Sequence, residues 1–152
     1  MEDNKFAKLA LEMAGKSFEE GAFPAGAVIV QNGKVIAKNT SAQYPNFHLH
    51  AESKTIDESM VLLKVQLTDC TLYCSMQPCL MCLSRAYWAG IRRIVYVVKK
   101  SSVDPTICYE TDLEHEKLLE NFNEKIEMTQ VPELESVGLE LYKKWYIKTF
   151  AR

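Results

Sequence analysis

The chain has 152 residues, of which 47% are apolar, and 18 Lys and Arg stand against 20 Asp and Glu for a formal charge of −2. That length supports one hydrophobic core, so residues 1–152 are expected to form a single domain, and no apolar run approaches the roughly 20 residues of a membrane span. The acidic balance disfavours a long polynucleotide as partner, because non-specific affinity comes from Lys and Arg neutralising phosphates, and favours a small molecule.

Taken in order, Phe6, Leu9, Ala10, Met13 and Phe18 fall on one helical face, and Gly21 is placed to end that helix. Two β-rich runs, Ala25–Val30 and Lys34–Ala37, flank Asn32-Gly33. That arrangement predicts a hairpin, since both turn positions of the tight type need positive φ. After a polar loop, His50 to about Leu63 reads as a helix, and Thr71–Ser75 as a short strand. Pro78 suits a first helical turn, so a helix carrying Leu80, Leu83, Ala86 and Tyr87 is expected from there to Gly90. Ile91–Val98 is the clearest strand. A helix around Asp112–Asn121, a strand around Ile126–Val131 and a helix from Pro132 to Phe150 complete the order. The alternation predicts an α/β fold of three layers, helices on both faces of a mixed central sheet of about five strands.

The chemistry concentrates in His50-x-Glu52 and Pro78-Cys79-Leu80-Met81-Cys82. A Cys-x-x-Cys at a helix start can turn both sulfurs into one cavity, and the helix N-terminus favours the thiolates a metal requires. A histidine from a second helix supplies a third N/S ligand and leaves one tetrahedral position open, which describes a catalytic zinc site rather than a structural one. Zinc brings the pKa of a water towards neutrality. Glu52, two residues from a ligand, is placed to take that water's proton and pass it on. Five cysteines behind a start, Met1-Glu2-Asp3-Asn4-Lys5, without a secretory pattern read as thiols or metal ligands of a cytoplasmic protein.

His-x-Glu followed by Pro-Cys-x-x-Cys is the pattern of zinc deaminases. On these residues, with Pro24–Val30 and Tyr87-Trp88-Ala89, the chain resembles the cytidine and deoxycytidylate deaminase superfamily from its first helix to Val98. It is similar to the branch of guanine deaminases and tRNA adenosine deaminases. The resemblance implies zinc on His50, Cys79 and Cys82, Glu52 as proton shuttle, a nucleobase or nucleoside substrate, and a homodimer. It makes Ala51 and Trp88 substrate-binding candidates, core burial being the other reading of Trp88. An asparagine that contacts the base corresponds to Asn39, or by counting from Gly26 to Ser41. The acidic base contact of guanine deaminases corresponds to Asp104, with a solvated loop position as the alternative.

Three departures bear on the substrate. Gln77 stands where the family carries glutamate, Ala25 replaces a bulkier residue, and the chain beyond Val98 matches neither branch. Guanine is the first expectation and tRNA adenosine the alternative; a third is a zinc-stabilised interaction protein without catalysis. Cys70, Cys74 and Cys108 are expected in core or loop packing, and His48 and His115 in solvent. The doublets Arg92-Arg93, Lys99-Lys100 and Lys143-Lys144 read as solvated faces.

Overall fold

The computed structural model describes residues 2–104, 110 and 114–151. Helix α1 spans Glu2–Glu19, with Glu2 and Asp3 in its first turn and Lys16 in its last, charges that complement the helix dipole. Its buried stripe is Phe6, Ala7, Ala10, Leu11, Met13, Ala14 and Ser17, and Leu9 and Phe18 are half-buried beside it. Gly21 follows at φ 84°, a left-handed stop. Strands β1 (Gly26–Gln31) and β2 (Lys34–Thr40) pair antiparallel around Asn32 and Gly33, whose φ values are 50° and 72°. The expected hairpin is present, and β2 runs three residues further than its hydrophobic pattern indicated.

Helix α2 (Ala51–Leu63) packs over that hairpin, then come β3 (Cys70–Met76), α3 (Leu80–Trp88) and β4 (Arg93–Val98). A 3-10 turn at Lys100–Ser102 is followed by α4 (His115–Leu119) and β5 (Glu127–Gln130). A second 3-10 turn, Pro132–Leu134, leads into α5 (Glu135–Phe150). The sheet order is β2-β1-β3-β4-β5, with β1 antiparallel to both neighbours and β3, β4 and β5 parallel. A mixed five-stranded sheet between helical layers was the expected architecture.

Alternation along the strands separates two cores. Ala27, Ile29, Leu72, Cys74 and Ile94 face Ala51, Ile56, Leu83 and Ala86 of α2 and α3. Val28, Val30, Tyr73, Val95 and Val97 face Phe6, Ala10 and Leu11 of α1 and Tyr142 of α5. Cys70 and Cys74 are buried free thiols, as expected, while Cys108 and Asp112 lie outside the described residues.

Four expectations are corrected. Pro78 precedes Cys79, the N-cap of α3, instead of occupying the first turn. Strand β4 begins at Arg93, because Arg92 turns its guanidinium onto the Tyr87 and Ile91 carbonyls at 2.9 and 3.0 Å. Pro132 opens a 3-10 turn, and the α-helix starts only at Glu135. The cationic doublets are not all solvated: Arg93 makes two hydrogen bonds to Asp3, at 3.0 and 2.7 Å, and Lys100 pairs with Glu110.

Two features of this packing can be tested. A Cβ on Gly26 would stand 2.2 Å from the Ala10 carbonyl and 2.5 Å from the Ala14 nitrogen, backbone that cannot step aside. Gly26→Ala should therefore cost about 2–3 kcal/mol of unfolding free energy, measured by chemical denaturation. Asp3 also accepts from the Tyr73 hydroxyl at 2.8 Å, and the Arg93 hydrogen bonds hold its carboxyl below the ordinary range. A lowered carboxyl stabilises the fold above its unfolded pKa and loses that contribution as pH falls through the folded value. With both side chains about a third exposed, Asp3→Asn should cost only about 1 kcal/mol at neutral pH, a difference that is lost in acid unfolding curves as pH falls through the lowered Asp3 value.

Candidate functional site

In a sheet with parallel strands, side chains of the connecting loops converge beyond the carboxyl ends of the strands. Strand β3 ends at Met76, and the chain turns through Gln77 and Pro78 into α3. The start of α2 is brought to the same place. His50 is the N-cap of α2 and Cys79 the N-cap of α3, both with extended backbone, so each side chain projects beyond its helix. The His50 side chain makes no capping hydrogen bond, which leaves its ring for other partners. The Cys79 sulfur accepts the Cys82 backbone N–H at 3.5 Å.

These two caps and the first turn of α3 assemble one donor set. His50 Nδ1 lies 3.5 Å from Cys79 Sγ and 3.5 Å from Cys82 Sγ, and the three donor atoms are within 4.8 Å of one another. Tetrahedral zinc, at about 2.0–2.1 Å from nitrogen and 2.3 Å from sulfur, spaces such donors about 3.6 Å apart. The trio fits that ion in both chemistry and spacing, with one position open.

The electrostatics suit a cation. Cys79, receiving hydrogen bonds from Cys82 and His50, has its thiol brought down to about 4. Cys82 is raised as the proton donor of the pair, and the Cys79 sulfur also raises His50. Glu52 is 6% exposed, and its Oε2 accepts from the Cys82 thiol at 3.8 Å. Burial first, then the negative Cys79, pushes its carboxyl up to about 7. A divalent cation among the three ligands would favour the carboxylate again, by direct attraction.

Other candidates fall elsewhere. Ala51 is fully buried directly after His50. Asn39 sits on β2 and donates to Glu58 of α2 at 2.7 Å. Ser41 is tied through its backbone to Ser17 Oγ and the Ala25 carbonyl. Trp88, at the end of α3, is 77% exposed, so core burial is not its role. Asp104 and His48 are exposed.

Two residues that sequence reasoning passed over do reach the metal-ligand turn. Glu110 accepts the Leu80 N–H with both oxygens, at 3.2 and 3.1 Å. His115, expected in solvent, is 7% exposed, and its Nε2 donates to the Pro78 carbonyl at 2.8 Å. No spacing signals either contact, because both come from chain well beyond the motif. Gln77, in the glutamate position of the family, accepts the Lys100 N–H at 3.0 Å, so a neutral amide makes this latch. The donor set predicts one zinc per chain. Cys82→Ser should lower bound zinc well below that ratio, measured by elemental analysis after dialysis.

Comparisons with known proteins agree with this geometry. The cytidine and deoxycytidylate deaminase zinc-binding region matches residues 1–98. The tRNA-specific adenosine deaminase of Buchnera aphidicola is 33% identical over 131 residues, covering 84% of this chain and 78% of that protein. The guanine deaminase of Bacillus subtilis is 37% identical over 105 residues, covering 65% of this chain and 66% of that one, so the chain spans slightly less than two thirds of that relative. Among solved structures, the guanine deaminase of Nitrosomonas europaea superposes with a TM-score of 0.78 at 21% identity, covering 92% of this chain and 82% of the other. That likeness supports the fold. With the motif, the donor geometry and the match over residues 1–98 in agreement, the chain belongs to the cytidine and deoxycytidylate deaminase family.

Proposed function

We propose that this chain is a zinc-dependent hydrolytic deaminase acting on a free nucleobase or nucleoside, with guanine the first candidate. The observation that carries the reading is Glu52, a carboxylate buried beside three candidate metal-ligating side chains and in contact with the Cys82 thiol. A structural zinc site has no use for such a group. A proton shuttle next to an open metal position does.

Zinc held by His50, Cys79 and Cys82 supplies the Lewis acidity that lets a water lose a proton near neutral pH. Glu52 accepts that proton and delivers it to a ring nitrogen as the oxygen adds to the amino-bearing carbon. It then takes the proton of the added hydroxyl and passes it to the amino group, which leaves as ammonia while the carbon–nitrogen bond breaks and a carbonyl forms. Water is consumed and ammonia released, and Glu52 returns to its starting state.

Charge around the site supports a small substrate. Lys100, next to the metal turn, is neutralised by Glu110, and Arg85 of α3 is paired with Asp57. A groove for a phosphate backbone needs cations left available to it. The second reading, adenosine within tRNA, has two supports. One is the Buchnera relative; the other is α5, where exposed Lys143, Lys144 and Lys148 interleave with exposed Tyr146 and Phe150. Aromatics among cations suit stacked bases of single-stranded RNA.

In this reading residues 1–152 act as one deaminase domain and as a homodimer, for which exposed Val61 and Leu62 of α2 and Met81 and Trp88 of α3 offer apolar surface. No helix among the described residues is long and apolar enough to cross a membrane. Thiols that must stay reduced to bind metal suit a cytoplasmic address.

An ammonia-release screen over guanine, adenine, cytosine, their nucleosides and a tRNA transcript tests the proposal. Guanine turnover that is abolished in Glu52→Gln, by about 1000-fold or more with zinc retained, is the expected result. Turnover of the tRNA adenosine alone would move the assignment to the second reading. A fully active Glu52→Gln protein would overturn the shuttle.

A further inference from the structure

The turn that presents Cys79 is held from outside at three nearby positions. Gln77 accepts the Lys100 N–H through its side chain at 3.0 Å, and its own N–H donates to the Val98 carbonyl at 2.8 Å. Pro78 has its carbonyl bound by His115 Nε2 at 2.8 Å. Leu80 gives its N–H to Glu110, which is paired in turn with Lys100. Every one of these partners comes after β3, and His115 is the first residue of α4.

We propose that His115 is a positioning residue for the metal site, acting through the Pro78 carbonyl to aim Cys79, with Glu110 as its counterpart on the Leu80 side. Cys79 lies between the two anchored peptides. Its sulfur can sit 3.5 Å from His50 Nδ1 only with the extended backbone it adopts as N-cap. Proline contributes no N–H of its own, so its carbonyl is the polar handle by which the peptide entering Cys79 can be gripped. An imidazole buried at 7% exposure offers that grip without a flexible stem. Outer hydrogen bonds orient metal ligands, and losing one typically costs about 10- to 100-fold in metal affinity or activity. The glutamate that relatives place before Pro-Cys is Gln77 here. The carboxylate near this turn is Glu110 instead, delivered from the far side of β4.

The proposal rests on the metal site described above and is independent of which base is deaminated. Its test uses the full chain, with zinc affinity measured by chelator competition and ligand geometry by the visible spectrum of the cobalt-loaded protein. His115→Phe keeps the ring volume and removes the donor. It should raise the zinc dissociation constant by about tenfold or more and shift the cobalt bands, while His115→Gln, which restores an N–H, recovers affinity to within about threefold of wild type. Glu110→Ala, at a half-buried position, should weaken zinc in the same direction and serves as the second variant if His115→Phe does not fold.

A folded His115→Phe protein with wild-type zinc affinity and cobalt spectrum would overturn the proposal, as would His115→Gln behaving no better than His115→Phe. If His115→Phe is unfolded, Glu110→Ala with unchanged affinity and spectrum overturns it. Wild-type protein that binds no zinc would instead overturn the site itself, so the two failures are distinguishable.

Discussion

Two helix N-termini meet at the carboxyl end of β3, and the site depends on that meeting. The first residues of α2 and α3 carry backbone N–H groups with no partner inside their own helix, and the positive ends of two helix dipoles. Cys79 answers one of these ends as a low-pKa sulfur accepting the Cys82 N–H. His50 caps the other through its backbone carbonyl, which accepts the Lys54 N–H, and its ring, free of any cap hydrogen bond, turns toward the sulfurs. The arrangement gathers negative charge on sulfur where a cation would bind. It also buries Glu52 in the first turn of α2, where burial and the negative Cys79 make its ionisation without a metal costly.

The sheet makes the meeting possible. Strands β3 and β4 are parallel, so the connection between them must cross over as a helix, and α3 is that helix. Strand β1 is antiparallel to β3, which puts its first residue, Gly26, at the same edge. The Gly26 N–H is held by buried Ser75 at 2.9 Å, and α1 presses so closely on Gly26 that no side chain fits there. Buried Ser17 then donates to the Phe23 carbonyl and accepts from the Ser41 N–H, tying two loops to the end of α1. A rigid rim around a metal position is what hydrolytic chemistry needs, since misplacement by about 1 Å costs orders of magnitude in rate.

The part of the chain beyond β4 has a different place in the molecule than its charge suggests. Rich in glutamate and lysine, it reads as solvated, yet it sends His115 and Glu110 back onto the metal turn. It also supplies β5, which pairs with β4 at the sheet edge, and α5, whose Tyr142 packs on the sheet face opposite α2 and α3. The family match ends at Val98, so the metal-ligand motifs lie in the shared region while the chain beyond it lies outside that match. This is why the motif determines the chemistry more firmly than the base.

The sequence alone determined the elements with strong periodicity or turn chemistry. The Asn32-Gly33 hairpin, the β3–β4 core and the two helices bearing His-x-Glu and Cys-x-x-Cys are all legible in it, since hydrophobic alternation and φ requirements are local properties. The ligand trio was legible for a similar reason: the spacing within each motif is dictated by one helix turn. Tertiary structure alone decided which remote groups serve the site. His115 looks solvated among charges because burial depends on what packs against it, not on its neighbours in sequence. Asn39 is the nearest asparagine and Ser41 the match by count, but β2 extends to Thr40 and the Asn39 side chain bonds Glu58, a contact that spacing along the chain does not announce. Trp88 could be read as core or pocket, and its 77% exposure settled against the core. Local patterns name the groups that do chemistry; only long-range packing decides which others hold them in place.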